Sequence, residues 1–447
     1  MVRTTVFAVL LKQFGLTAYE KFRPAFHDAA ARAAEAQRDP RLARVTVSRA
    51  TFDRWSTGRL KGVPRREAAT ILRYLFDDVP AERLFEDADN VPGTGGPSPA
   101  DAPGAVGVEF DDPGEVGAQT RLLTGSNADP ALLAMVSSSL ERVVDRYEAL
   151  GPRLLAGETR LLRNMLHTLL AGRQPPRARS ELFRLAARAS GLLGYMAVNA
   201  SAPFVTVDAY CGETEVLARE IGDTEMEMWA AGTRSLGLYY TGRYDEADQA
   251  ARAGIALAPT SPQAIRLLVN GRARALARTG DRRGAESAIA RAMTLSDRQS
   301  TLPAGMTSCI AFAPYSLART LANAITARLA LGDTPAVLDH AAEIDPLLAT
   351  SSSHWSRALV GLDVATALLQ QHRPDVEQAM TLGRTALTAG ATAPIRSVWQ
   401  RAGELHQHAA RWHTRPAVRD YADMLRSWRS QPQAASLIAG MPAAHRL

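Results

Sequence analysis

The chain has 447 residues, 46% of them hydrophobic and 22% charged, which is room for two to four domains of about 100–200 residues each. That balance excludes collagen-like, wholly disordered and membrane-embedded classes. Lys and Arg number 52 against 46 Asp and Glu, for a formal net charge of +6, a surplus that points to an anionic partner only where it is concentrated.

Only three of the 52 basic residues are lysine (Lys12, Lys21, Lys61), a skew that implies GC-rich codon usage and a bacterial source. The two cysteines, Cys211 and Cys309, match no metal spacing and cannot form a disulfide framework for this length, so a reducing cytoplasm is expected. The apolar run 6–11 is too short to span a bilayer, and no small-residue cleavage site follows it.

The first 90 residues read as five short helices. The first covers 6–14 and stops at Gly15. Thr17 with Glu20 has the spacing of a capping box for TAYEKF, which either kinks at Pro24 or gives way to a new helix running to about Arg38. Ser48 is placed to cap RATFDRWST, and Gly58 stops it; Pro64 precedes an amphipathic helix, RREAATILRYLF, and Pro80 opens the short AERLF. In RATFDRWST, Phe52 and Trp55 are three apart and face a core, leaving Arg49, Ala50, Asp53 and Arg54 outward.

Residues 38–66 hold nine basic and two acidic groups, an excess of +7 in 29 positions. An Arg near a helix N-terminus reaches guanine O6 and N7, Thr51 or Ala50 suits a thymine methyl, and Arg59, Lys61, Arg65 and Arg66 suit phosphates. Residues 47–85, with 6–26 upstream, resemble XRE-type helix-turn-helix domains, the fold of phage repressors. The resemblance implies a double-stranded DNA partner, with Ser48, Arg49, Ala50, Thr51, Asp53, Arg54, Arg59, Lys61, Arg65 and Arg66 at the interface. About 20 residues separate TAYEKFRPAF from Ser48, more than the family's usual short turn.

Residues 89–129 read as a flexible, acidic, Gly/Pro-rich linker. Charge divides the chain in the same places: 16 basic and 12 acidic residues in 1–90, 1 and 6 in 91–130, 35 and 28 in 131–447. The segment GTGGPS lacks the Lys-Ser/Thr of a phosphate loop.

From about 131 to 429, Ala/Leu-rich amphipathic segments alternate with short Gly, Asp and Pro breaks, which predicts ten to thirteen helices. Gly242, Gly280 and Gly332 each separate two helical patterns, at spacings of 38 and 52 residues. In GRYDEADQAARAGIALAP, the small residues Ala247, Ala251 and Gly254 fall where two helices approach closely, and Pro259 ends the unit. This stretch resembles the second helix of a tetratricopeptide (TPR) repeat, which implies a helical solenoid. Counting back by the TPR spacing puts Trp229, Tyr239, Asn270, Arg274, Arg319 and Thr326 on the concave, ligand-binding face, where amide, guanidinium and aromatic groups suit a peptide backbone or a carboxylate.

In GELHQHAARWH, Glu404 and His408 are four apart, but His406 and His408 point to different helix faces and His413 lies beyond, so a solvated helix is expected rather than a metal site. No catalytic motif with supporting context occurs.

These observations predict an all-α protein: an XRE-like helix-turn-helix domain over 1–88, a linker over 89–129, and a TPR-like sensor and dimerisation domain over 130–447. The expected function is a cytoplasmic, homodimeric, DNA-binding transcription regulator responsive to a peptide, small molecule or protein, as in regulators of secondary metabolism or development. No enzyme activity, cofactor or membrane contact is expected. The alternative is an adaptor whose solenoid binds another protein without sequence-specific DNA binding.

Overall fold

A computed structural model describes residues 5–59, 64–76, 79–87, 111–299, 301–391 and 393–441, apart from the side chain at 436. Among these the protein is all-α, with a single isolated antiparallel bridge between Thr5 and Asp87 and no strand. No helix among them is long and apolar enough to cross a membrane. The chain divides into two compact units, 1–110 and 111–447.

The first unit contains α1 (Val6–Gln13), α2 (Tyr19–Ala36), a 3-10 turn (Leu42–Arg44), α3 (Arg49–Ser56), α4 (Arg66–Leu75) and α5 (Ala81–Leu84). Phe7 is fully buried at its centre. Its ring meets Phe22, Trp55 and Phe76 edge-on at 6.1, 6.0 and 5.6 Å and stacks on Phe85 at 5.2 Å, so one side chain ties α1 to α2, α3 and the C-terminal turn. The N–H of Val6 bonds the carbonyl of Glu86 and joins the two ends.

Two local expectations are corrected here. Ala18 precedes the first residue of α2 and contributes no side-chain cap, so Thr17 does not cap it. Pro24 does not open a new helix but lies inside α2. Pro24 and Glu20 are both exposed, so the Glu20 carbonyl left without its helical donor is open to water, while Phe22 and Phe26 on the buried side hold the helix down.

The second unit opens with α6 (Pro113–Thr124), capped by Asp112 and without a buried residue. The part of the expected linker over 111–129 is therefore partly helical; its 89–110 portion, with GTGGPS, lies outside the described residues. An array follows: α7 (Pro130–Leu170), α8 (Pro176–Asn199), α9 (Phe204–Glu220), α10 (Thr224–Tyr240) and α11 (Tyr244–Leu257). α12 (Gln263–Arg266) continues through a π-helical stretch (Leu267–Ala273) into α13 (Arg274–Thr279). Then come α14 (Arg282–Asp297), α15 (Leu317–Ala330), α16 (Thr334–Thr350), α17 (His354–Gln370), α18 (Val376–Gly390), α19 (Arg396–Ala409), α20 (Pro416–Arg429) and α21 (Pro432–Ala439).

Successive helices pack as hairpins, and alternate helices also touch, as in α8 with α10, α15 with α17 and α17 with α19. Gly242, Gly280 and Gly332 sit at the hairpin turns in the left-handed region, with φ of 82°, 84° and 71°, where glycine carries no Cβ penalty. Ala247 and Ala251 are fully buried. A Cβ on Gly254 would lie 2.8 Å from that of Ala231 in α10, so the small residues do mark a close helix approach. α7 bends at Gly151, whose φ is 77°, immediately before Pro152.

Candidate functional site

Two regions collect the residues singled out from sequence: the outer surface of α3 in the first unit and a chambered interior in the second.

Ser48 caps α3, its Oγ accepting from the N–H of Thr51 at 3.3 Å and lying 2.9 Å from the Thr51 hydroxyl. Phe52 and Trp55 are buried, while Arg49, Ala50, Asp53 and Arg54 are exposed, as their helical spacing requires. The start of α3 is fixed to α2 by Tyr19, whose hydroxyl donates to the carbonyl of Val47 at 2.9 Å. Arg54 folds back along its own helix, donating to the Ala50 carbonyl and the Thr51 hydroxyl, each at 3.2 Å. Arg49 lies over the Tyr19 ring and pairs with Glu20 at 3.1 Å. Arg38, Arg41, Arg44, Arg59, Arg65 and Arg66 are all exposed, so the charge excess lies in solvent. Lys61 lies outside the described residues. Glu20, which sequence reasoning placed only in a capping box, proves to be the carboxylate that holds Arg49.

In the second unit the inner helices carry polar side chains at four-residue intervals. Arg266, Asn270, Arg274 and Arg278 run from α12 through the π-helical stretch into α13; Arg396, Gln400, Glu404 and His408 run along α19. Two adjoining chambers lie among them, of about 60 and 190 Å³, and they share Tyr240, Arg274, Thr326 and Arg401. Asn270, Arg274, Arg319 and Thr326 line the smaller chamber; Tyr239, Arg274 and Thr326 line the larger. Trp229 lies apart from both. Its indole N–H donates to the carbonyl of Ala311 at 3.0 Å, and Arg266 stacks on its ring at 4.5 Å, so it is a packing residue.

The segment between α14 and α15 fills part of the interior. Asn270 donates to the Tyr315 hydroxyl at 3.2 Å, Arg319 to the Thr307 carbonyl at 2.6 Å, and Ser308, Cys309 and Ile310 line the smaller chamber.

Some charges in this interior are neutralised and others are not. Arg401 pairs with Asp363 at 3.1 Å and donates to Thr326 at 2.8 Å, while the Thr326 hydroxyl donates to Asp363 at 2.7 Å. Burial pushes the Asp363 carboxyl above its ordinary value, against the pull of Arg401 and Thr326. Glu404 pairs with Arg278 at 2.8 Å, so it is committed to the array and not held out from a solvated helix.

Arg274 is 4% exposed and Arg319 3%. Arg274 donates to Asn270 and to the Tyr240 hydroxyl and lies 4.2 Å from the Tyr239 ring centroid. Arg319 uses the Thr307 carbonyl and the Ser356 hydroxyl. Arg396 donates to the Tyr240 carbonyl, and burial pulls its pKa down to about 10. Among the described residues no carboxylate pairs with any of these three. Sequence reasoning missed Arg396, Arg401 and Asp363 and read Glu404 only as part of a solvated helix; the four-residue polar ladder of α19 was the signal for Arg396 and Glu404.

No protein-family model matches the chain, and comparison with curated proteins finds none of significant similarity.

Proposed function

We propose that the protein is a DNA-binding transcription regulator. Its first unit acts as an XRE-type helix-turn-helix domain and its second as a TPR-like sensor that governs operator affinity. The observation that carries this reading is the outer face of α3: a capped helix presenting Arg49, Ala50, Asp53 and Arg54, flanked by exposed arginines on both sides in sequence. Such a helix fits the major groove, where Arg reads guanine, Ala50 meets a thymine methyl and Asp53 accepts from cytosine N4. Arg59, Arg65 and Arg66 then serve the phosphates.

In this reading the protein works in the cytoplasm as a homodimer on a two-part site. A ligand in the second unit changes operator affinity by binding one arrangement of the array better than another. Titration of genomic DNA fragments tests the proposal. Affinity should fall steeply with salt as counterions are released, and Arg49→Ala with Arg54→Ala should lower it by about 1–3 kcal/mol for each base no longer read. Unchanged binding in the double variant would remove α3 as the reading helix. Crosslinked DNA recovered without a shared sequence would favour the adaptor instead.

A further inference from the structure

The larger chamber carries a charge imbalance that the protein itself does not resolve. Its walls contain Arg274, Arg278 and Arg401 against Asp363 and Glu404, an excess of one positive charge with His408 left aside. The two carboxylates are bound to Arg278 and Arg401, so the excess sits on Arg274. An unpaired buried ion is costly even after relaxation, and the hydrogen bonds that Arg274 makes, to Asn270 and the Tyr240 hydroxyl, go to neutral groups. Tyr239 and Tyr240 offset part of that cost through the faces of their rings. They do not neutralise the charge.

From this geometry we infer that the chamber binds a small aromatic monocarboxylate, with its carboxylate on Arg274 and its ring against the chamber wall formed by Tyr240 and Leu329. The planar guanidinium matches a carboxylate better than a point charge would. At about 190 Å³ the space exceeds the roughly 150 Å³ of an engineered cavity that holds benzene, which suits one ring with a carboxylate and is too little for a peptide strand. The single excess charge also favours a monoanion over a phosphate monoester, which carries about −1.5 to −2 at neutral pH. The walls come from α10, α13, α15, α17 and α19, and Arg278 in α13 is joined to Glu404 in α19, so a ligand seated there touches helices far apart in the chain.

Such a ligand would be the signal read by the second unit, and that regulatory consequence rests on the sensor role proposed above. Ligand binding is nevertheless measured on the full chain without DNA, so a chain that takes the ligand but ignores DNA would keep this proposal and overturn the other. Sodium benzoate, benzamide and inorganic phosphate are compared at constant ionic strength by calorimetry and by thermal unfolding.

Benzoate should bind with a dissociation constant below about 1 mM and raise the unfolding temperature, while benzamide and phosphate bind at least tenfold more weakly. Arg274→Gln should lower benzoate affinity at least tenfold. Thr366→Met keeps every charge and fills the chamber from α17; it should also abolish binding, and it decides the matter if the arginine variant fails to fold. Absence of benzoate binding, equal binding of benzamide or of phosphate, or undiminished binding in a folded Thr366→Met variant would each overturn the assignment.

Discussion

Glu404 in α19 accepts a bond of 2.8 Å from Nη2 of Arg278 at the end of α13, 126 positions earlier in the chain. Their side chains are 33% and 28% exposed, so the pair lies between a surface ion pair, worth up to about 1 kcal/mol, and a buried one, whose breaking costs about 3–5 kcal/mol. Glu404→Gln should therefore destabilise the second unit by about 1–3 kcal/mol, read as a lower urea midpoint. A double-mutant cycle with Arg278→Gln should show that most of the loss is shared between the two residues.

Close packing in the array makes a second prediction. At Gly254 a Cβ would meet Ala231 at 2.8 Å and Leu267 at 3.1 Å. Gly254→Ala gains about 1 kcal/mol of helix propensity but forces a shift in a filled interface that costs about 1–3 kcal/mol. The packing term wins, so the variant should melt below the wild type. A variant as stable as the wild type would mean that α10 and α11 separate freely.

Acid should weaken the second unit through His406. Burial and the neighbouring Arg426 hold its pKa below the ordinary 6.5. As pH falls through 6.5 the unfolded chain takes up the proton first, so it binds more protons than the folded chain and stability drops until the lower folded pKa is passed. His406→Gln should flatten that part of the stability curve and leave its alkaline side unchanged, which denaturant midpoints measured across the range would reveal.

Much of the architecture was legible because it rests on local chemistry. Ser48, Gly58, Gly242, Gly280 and Gly332 bound helices through capping and left-handed geometry, which depend on a few consecutive residues. Five of the six residues assigned to a concave face do line the chambers, since the four-residue interval from Asn270 to Arg274 survives any drift of the repeat. The exception, Trp229, is taken by a carbonyl in the segment between α14 and α15, an interaction across 82 positions that no local pattern encodes. Thr17 as a cap and Pro24 as the start of a new helix misled for the opposite reason. Each looked decisive locally, while burial of Phe22 and Phe26 set the course of α2.

The pairing of Arg49 with Glu20 bears directly on the DNA reading. Both side chains are about two-thirds exposed, at 66% and 64%, so the bond contributes at most about 1 kcal/mol and is screened by salt. It still draws the proposed guanine-reading arginine toward α2, and it places a negative charge beside a surface meant for phosphates. Glu20→Gln should release Arg49, remove that repulsion and tighten DNA binding by up to about fivefold at low salt, the gain shrinking as salt rises. Protein stability should change by no more than about 0.5 kcal/mol, as for most surface substitutions. The part of the gain that comes from releasing Arg49 must vanish when Arg49 is already alanine, because Glu20 then has no arginine to hold, and only the smaller gain from the removed repulsion should remain. An equal gain in that background would assign the benefit to general charge, and weaker binding would make Glu20 a residue that positions Arg49 for the groove.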